Sequence, residues 1–213
     1  MMGICVTIGW WLLAKFVPPP LPSWGAQEIA DFFAGNVVGI RTGMLFMLVG
    51  VGFFFPFVSL ISDQIKRMGD GSSTLAYTQL IAGSMSAAII IFPLMFWAIA
   101  SFRVDRSPEL IQLLNDMAWL ITAMTFAPGV FQNIAIGLAV LNDKNEQPIF
   151  PRWVAYLNFW MAALFLPAGL MVFFQAGPFA WNGLLAFWLP LVAFSVWFSA
   201  IIYVLFGALG RQY

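Results

Sequence analysis

Asp116 is the residue that most invites a chemical reading, because it sits in an otherwise apolar part of the stretch from Ser107 to Lys144, SPELIQLLNDMAWLITAMTFAPGVFQNIAIGLAVLNDK. A carboxylate in such surroundings is costly unless something pairs with it. Arg41 and Arg103 stand near the ends of two other apolar segments at a similar depth, and the spacing predicts that one of them forms an ion pair with Asp116. The alternative use of such an arginine is to hold an anion or a lipid headgroup. A second set, Gln79, Gln132, Asn133 and Asn158, places uncharged amides inside apolar runs. There they can bond across helices or line a cavity, and Gln132 and Asn133 follow Pro128 by about a turn, where a proline leaves a carbonyl without its donor. These seven residues are the candidate ligand-binding set.

Much chemistry is missing. The chain has no histidine, which removes histidine-ligated haem, serine–histidine dyads and histidine proton relays together. Its single cysteine, Cys5, cannot form an intramolecular disulfide and reads as a packed thiol. No Cys or His cluster suits a metal. Lys15, Lys66 and Lys144 all fall at segment ends, so no mid-membrane Schiff base has a candidate. Val49-Gly50-Val51-Gly52 lacks the third glycine of a dinucleotide fingerprint, and no phosphate-binding loop motif is present. The expectation is a non-catalytic protein without a cofactor. Phe, Trp and Met are abundant, and at helical spacing in lipid they read as packing and interface anchors rather than a cofactor box.

The elements that must position these residues follow from composition. Of 213 residues, 62% are hydrophobic and only 8% charged, against roughly 25% charged in a soluble domain. The reading is all-α: an integral membrane helical bundle forming one transmembrane domain over residues 1–213, with about six transmembrane helices. The expected spans are 3–17, 37–62, 75–102, 107–142, 153–174 and 181–209, with an interfacial helix over 25–34. The last five each carry an internal proline, Pro56, Pro93, Pro128, Pro167 and Pro190, and a bend is expected at Pro56 and Pro128. Ser107, Pro108 and Glu109 form a strong helix start. Gly39, Gly43, Gly50 and Gly52, and then Gly83 with Ala87, leave smooth surfaces for close helix contact. Gly69-Asp70-Gly71 supplies turn chemistry between the second and third spans.

Nine basic and nine acidic residues give a net charge of zero, so neither nucleic acid nor a polybasic lipid-binding patch is indicated. With six spans, Lys66, Arg67, Lys144, Arg152 and Arg211 fall on one side and Lys15, Arg41, Arg103 and Arg106 on the other. The positive-inside rule then places both termini in the cytoplasm. Expected partners are membrane lipids, other membrane subunits or further copies of the chain.

The segments VPPPLPS with EIADFF, FRVDRSPELIQLLNDMAWL, FPRWVAYLNFW and FFQAGPFAWNGLLAFWLP resemble a family of uncharacterised bacterial polytopic membrane proteins over nearly the whole chain. The resemblance implies a shared fold in the bacterial inner membrane, no known activity, and no catalytic residues to transfer. Two functional expectations remain: binding or movement of an apolar small molecule or lipid, and an accessory role in a larger membrane complex.

Overall fold

Every described element of the computed structural model is helical, and the structure describes residues 1–68 and 73–211. The turn expected at Gly69-Asp70-Gly71 lies outside the described residues. Nine helices are described: α1 (Met2–Leu13), α2 (Ala26–Gly35), α3 (Val37–Gly52), α4 (Phe54–Lys66), α5 (Ser73–Phe102), α6 (Pro108–Met124), α7 (Ala127–Leu141), α8 (Trp153–Phe165) and α9 (Leu189–Gly210). Taken through their breaks, five helical runs are long and apolar enough to cross a membrane: Val37–Lys66, Ser73–Phe102, Pro108–Leu141, Trp153–Phe173 and Leu184–Gly210. The protein is therefore an integral membrane helical bundle, as its composition requires.

Proline placement explains the breaks. Pro128 and Pro190 each lie in the first turn of a restarted helix, α7 and α9, where a missing N–H costs nothing because the first-turn donors have no partner anyway. Pro56 stands two residues inside α4, just past the break at Phe53. Pro167 opens a 3₁₀ stretch, Leu166–Phe173, that continues α8. Pro93 alone is carried inside a continuous helix, α5.

The first expected span is the exception to the pattern. α1 covers twelve residues, a length of about 18 Å against a hydrocarbon thickness of about 30 Å. It runs antiparallel along α3: Cys5 lies against Gly50, Gly9 against Gly43, and the Leu13 carbonyl against Gly39. A Cβ on Gly9 would stand 2.6 Å from the Gly43 carbonyl oxygen, so each backbone needs the other's lack of a side chain. Asn36, at the start of α3, donates to the Leu13 and Ala14 carbonyls at 2.8 and 3.2 Å and closes the end of α1. Past that point Lys15 adopts a left-handed conformation, φ 57°, and the chain turns away. Gly52, expected on the same smooth surface, meets nothing within 4 Å.

The helix expected over 25–34 is α2. The Glu28 carboxylate accepts from the Gly25 backbone N–H at 2.7 Å, which supplies the acidic half of a capping box. Its Ile29, Ala30 and Phe33 are buried.

Two compact units emerge, interleaved along the chain rather than joined by a linker. Unit 1 comprises Met1–Phe54, Ala87–Thr125 and Ala168–Phe187; unit 2 comprises Phe55–Ser86, Phe126–Pro167 and Trp188–Tyr213. Unit 2 has an aliphatic core in which Ile61, Ile65, Ile136, Val154, Ile201 and Leu205 are buried together. Unit 1 is built around aromatic rings.

Candidate functional site: an aromatic cluster with unmatched donors

In unit 1, three tryptophans from three helices meet. Trp97 lies one turn past Pro93 on α5, Trp119 lies on α6, and Trp10 lies on α1. Their ring centroids are separated by 5.0 Å (Trp97 and Trp119), 5.8 Å (Trp10 and Trp119) and 6.3 Å (Trp10 and Trp97). Phe16 stands edge-on to Trp97 at 4.9 Å, Phe187 edge-on to Trp10 at 5.6 Å, and Trp181 stacks on Trp119 at 6.3 Å. Such offset and edge-to-face arrangements are the favoured ones for aromatic rings.

Two features separate this cluster from ordinary packing. The first is its hydrogen-bond inventory. A buried indole N–H usually finds an acceptor. Trp181 does so, donating to the Pro20 carbonyl at 2.8 Å. By contrast, the N–H groups of Trp10, Trp97 and Trp119 are buried and bonded to nothing. One turn before Trp119 on the same face of α6 is Asn115, which is 0% exposed, and neither its amide oxygen nor its nitrogen is hydrogen-bonded. Its amide approaches the adjoining Asp116 carboxylate without reaching hydrogen-bond geometry. Leaving one such group unsatisfied costs about 1–3 kcal/mol, and unit 1 holds four residues with such groups.

The second feature is backbone geometry. Both π-helical stretches among the described residues, Thr7–Leu13 and Leu184–Trp188, deliver an aromatic side chain to this cluster, Trp10 from the first and Phe187 from the second. π-Helix is rare and recurs at functional sites because the extra residue per turn re-aims a side chain.

The residues expected from sequence lie elsewhere. Asp116 does not pair with Arg41 or Arg103; the one ion pair among the described residues is Arg67 with Asp63, 3.3 Å apart within α4 and its end. Arg41 instead donates to the Ser101 carbonyl through Nε at 3.1 Å and Nη2 at 2.6 Å, and to the Phe102 carbonyl at 2.9 Å. The physical reason is that the last carbonyls of α5 have no helical donor and carry the negative end of the helix dipole, which a cation on α3 satisfies. Arg106 does the same for the Ile99 carbonyl at 3.0 Å. Arg103 lies over the exposed Phe102 ring at 5.9 Å, and Arg41 over the same ring at 6.0 Å. Arg41 and Arg103 are thus brought together, and Asp116 stays apart from both.

The four amides all belong to unit 2. Gln79 meets the Ser62 hydroxyl, joining α5 to α4. The Ser86 hydroxyl reaches Gln132 at 3.5 Å, joining α5 to α7. Asn158 accepts from the Trp197 indole N–H at 3.0 Å, joining α8 to α9, and donates to the Val154 carbonyl at 2.7 Å. Asn133 donates to the Gly129 carbonyl at 2.8 Å. Three are bridges between helices, the interhelical role their sequence positions allowed.

Asn115 is not in the candidate set expected from the sequence, which reads the tryptophans as packing and interface anchors. The available signal was the four-residue interval from Asn115 to Trp119, which puts an amide and an indole on one helical face. No family model, curated protein or solved structure matches the chain.

Proposed function

We propose that this is a non-catalytic membrane protein that binds an apolar small molecule or lipid, and that the binding place is the aromatic cluster of unit 1. The observation that carries the reading is that unit 1 buries the Trp10, Trp97 and Trp119 N–H groups and the Asn115 amide without a hydrogen-bond partner for any of them. Ligand sites are mostly apolar concavities in which a few polar groups fix orientation, and the composition of the cluster follows that pattern. The two π-helical stretches support it further.

The membrane assigned is the bacterial inner membrane. If the five long helices all cross, the 67–72 and 142–152 connections share a side with the carboxyl terminus. That side carries Lys66, Arg67, Lys144, Arg152 and Arg211, and we place it in the cytoplasm.

Native mass spectrometry of the full chain released from mild detergent tests the reading. Wild type is expected to retain a small molecule or lipid at collision energies that strip bulk detergent, and Asn115→Leu and Trp119→Ala are expected to lose it. The same bound mass in all three proteins, or a stoichiometric protein partner with no small molecule, overturns the assignment.

A further inference from the structure

We propose that Arg41 and Arg103 form a surface seat for the phosphate group of a membrane phospholipid at the end of α5. No residue of the aromatic cluster takes part.

Depth points to the partner. α5 has 30 residues, a length of about 45 Å, which matches a whole bilayer with its headgroups rather than the hydrocarbon of about 30 Å alone. Its last residue, Phe102, therefore reaches the headgroup level, and its ring is 64% exposed. The run Val37–Lys66 is equally long, and the exposed Arg41 stands about one turn inside it, close to where phosphates meet hydrocarbon. Both guanidiniums come to the same ring. Arg41 lies 6.0 Å and Arg103 5.9 Å from the Phe102 centroid.

Charge and donor geometry define what fits between them. The one ion pair among the described residues is Arg67 with Asp63, so neither Arg41 nor Arg103 is neutralised by Asp105 or Glu109, the exposed acids that follow α5. Arg41 is held by carbonyls instead. Its Nε and Nη2 donate to Ser101 and Phe102, which fixes the guanidinium plane and leaves the two N–H groups of Nη1 without a described acceptor. Arg103 donates to no described residue, so all five of its N–H groups are available. A guanidinium fork matches the oxygens of a phosphate, and such charge-assisted bonds are stronger than neutral ones. One arginine is anchored and the other is free to close on the anion. A carboxylate from a partner protein has similar chemistry, but an exposed arginine at headgroup depth already stands among phosphodiesters. The lipid is therefore the partner at hand.

Native mass spectrometry of the full chain in an uncharged detergent tests this with two probes, dioleoylphosphatidylglycerol and dioleoylglycerol, which share acyl chains and differ in the phosphate headgroup. Wild type is expected to bind the phospholipid at least about tenfold more tightly, with each arginine contributing about fivefold. Arg103→Gln is expected to reduce that preference about fivefold and to leave dioleoylglycerol binding and the melting temperature unchanged, because Arg103 has no hydrogen bond to lose. Arg67→Gln, in unit 2, removes the same charge elsewhere and is expected to change nothing.

Equal binding of the two probes overturns the proposal. Equal losses in Arg103→Gln and Arg67→Gln also overturn it, since they would show a diffuse attraction rather than a seat. Displacement of the phospholipid by an excess of inorganic phosphate would assign the arginines to a soluble anion. A protein partner that wild type retains and Arg103→Gln loses, with no phospholipid preference in either, would assign them to a carboxylate.

Discussion

The two units treat buried polar groups in opposite ways. In unit 2 the amides of Gln79, Gln132 and Asn158 each reach a side chain on another helix, namely Ser62, Ser86 and Trp197. In unit 1 the Asn115 amide reaches no side chain on another helix, and the indole N–H groups of Trp10, Trp97 and Trp119 are unbonded as well. Both sets are buried in apolar surroundings where desolvation is expensive, so the contrast is not one of exposure. An amide bonded across helices fixes their register and has its role already. A group that has been desolvated and given no partner is either a defect or half of an interaction completed by something else. Unit 2 keeps some loose ends too, at Gln79 Nε2, Gln132 Nε2 and Asn133 Oδ1, but there the other end of each amide is engaged.

The largest expected effects probe whether both units are close-packed frames for these groups. Gly43→Leu in unit 1 would drive a side chain into the Gly9 backbone, and Gly83→Leu in unit 2 would strike Val58 and Gln132. Each is expected to cost about 3 kcal/mol or to prevent folding, since rigid seams relax poorly. Gly52→Leu, with nothing within 4 Å of its missing Cβ, is expected to change stability by less than about 0.5 kcal/mol. Thermal melts in detergent measure all three. A tolerated leucine at Gly43 would mean that α1 yields easily, and Trp10 would then be a poor wall for any ligand.

A direct break of the comparison comes from replacing one amide in each unit. Asn158→Leu strands the Trp197 indole N–H and is expected to destabilise by about 1–2 kcal/mol. Asn115→Leu, at similar volume, removes two unsatisfied polar atoms and is expected to leave stability unchanged or raise it by about 1 kcal/mol. Opposite signs support one bridge and one site. Equal losses would show that Asn115 has a structural partner and would remove it from the binding reading.

How much of this was legible depends on what each feature requires. Composition and proline spacing revealed the helices and their breaks because both are local: Pro128 cannot sit deep in a helix wherever it folds, and α7 accordingly begins just before it. The bridging amides were recognisable for a similar reason, since an amide in an apolar run has few outlets. The tryptophan cluster was hidden because it depends on residues 10, 97 and 119 coming together from three helices, and on two π-helical stretches that no residue pattern announces. The expected Asp116 pair failed on the acceptor side. Charges were weighed only against opposite charges, whereas the carbonyls at the end of α5 are present in every helix and compete for a guanidinium within reach.

That competition leads to the smallest effect. Arg41 makes three hydrogen bonds to the Ser101 and Phe102 carbonyls, and charge at a helix terminus contributes about 0.3–1 kcal/mol. Arg41→Gln is therefore expected to cost about 1 kcal/mol in a detergent melt. The informative quantity is its coupling to Asp116→Asn in a double-mutant cycle. With the two side chains serving separate roles, the single effects are expected to add to within about 0.5 kcal/mol. An arginine that neutralised the carboxylate beside Asn115 would instead give coupling of more than about 1 kcal/mol. That result would place a cation next to the aromatic cluster, admit an anionic ligand there, and take Arg41 away from a phosphate at the end of α5. Additivity keeps the cluster without a counter-ion, which suits an uncharged apolar ligand.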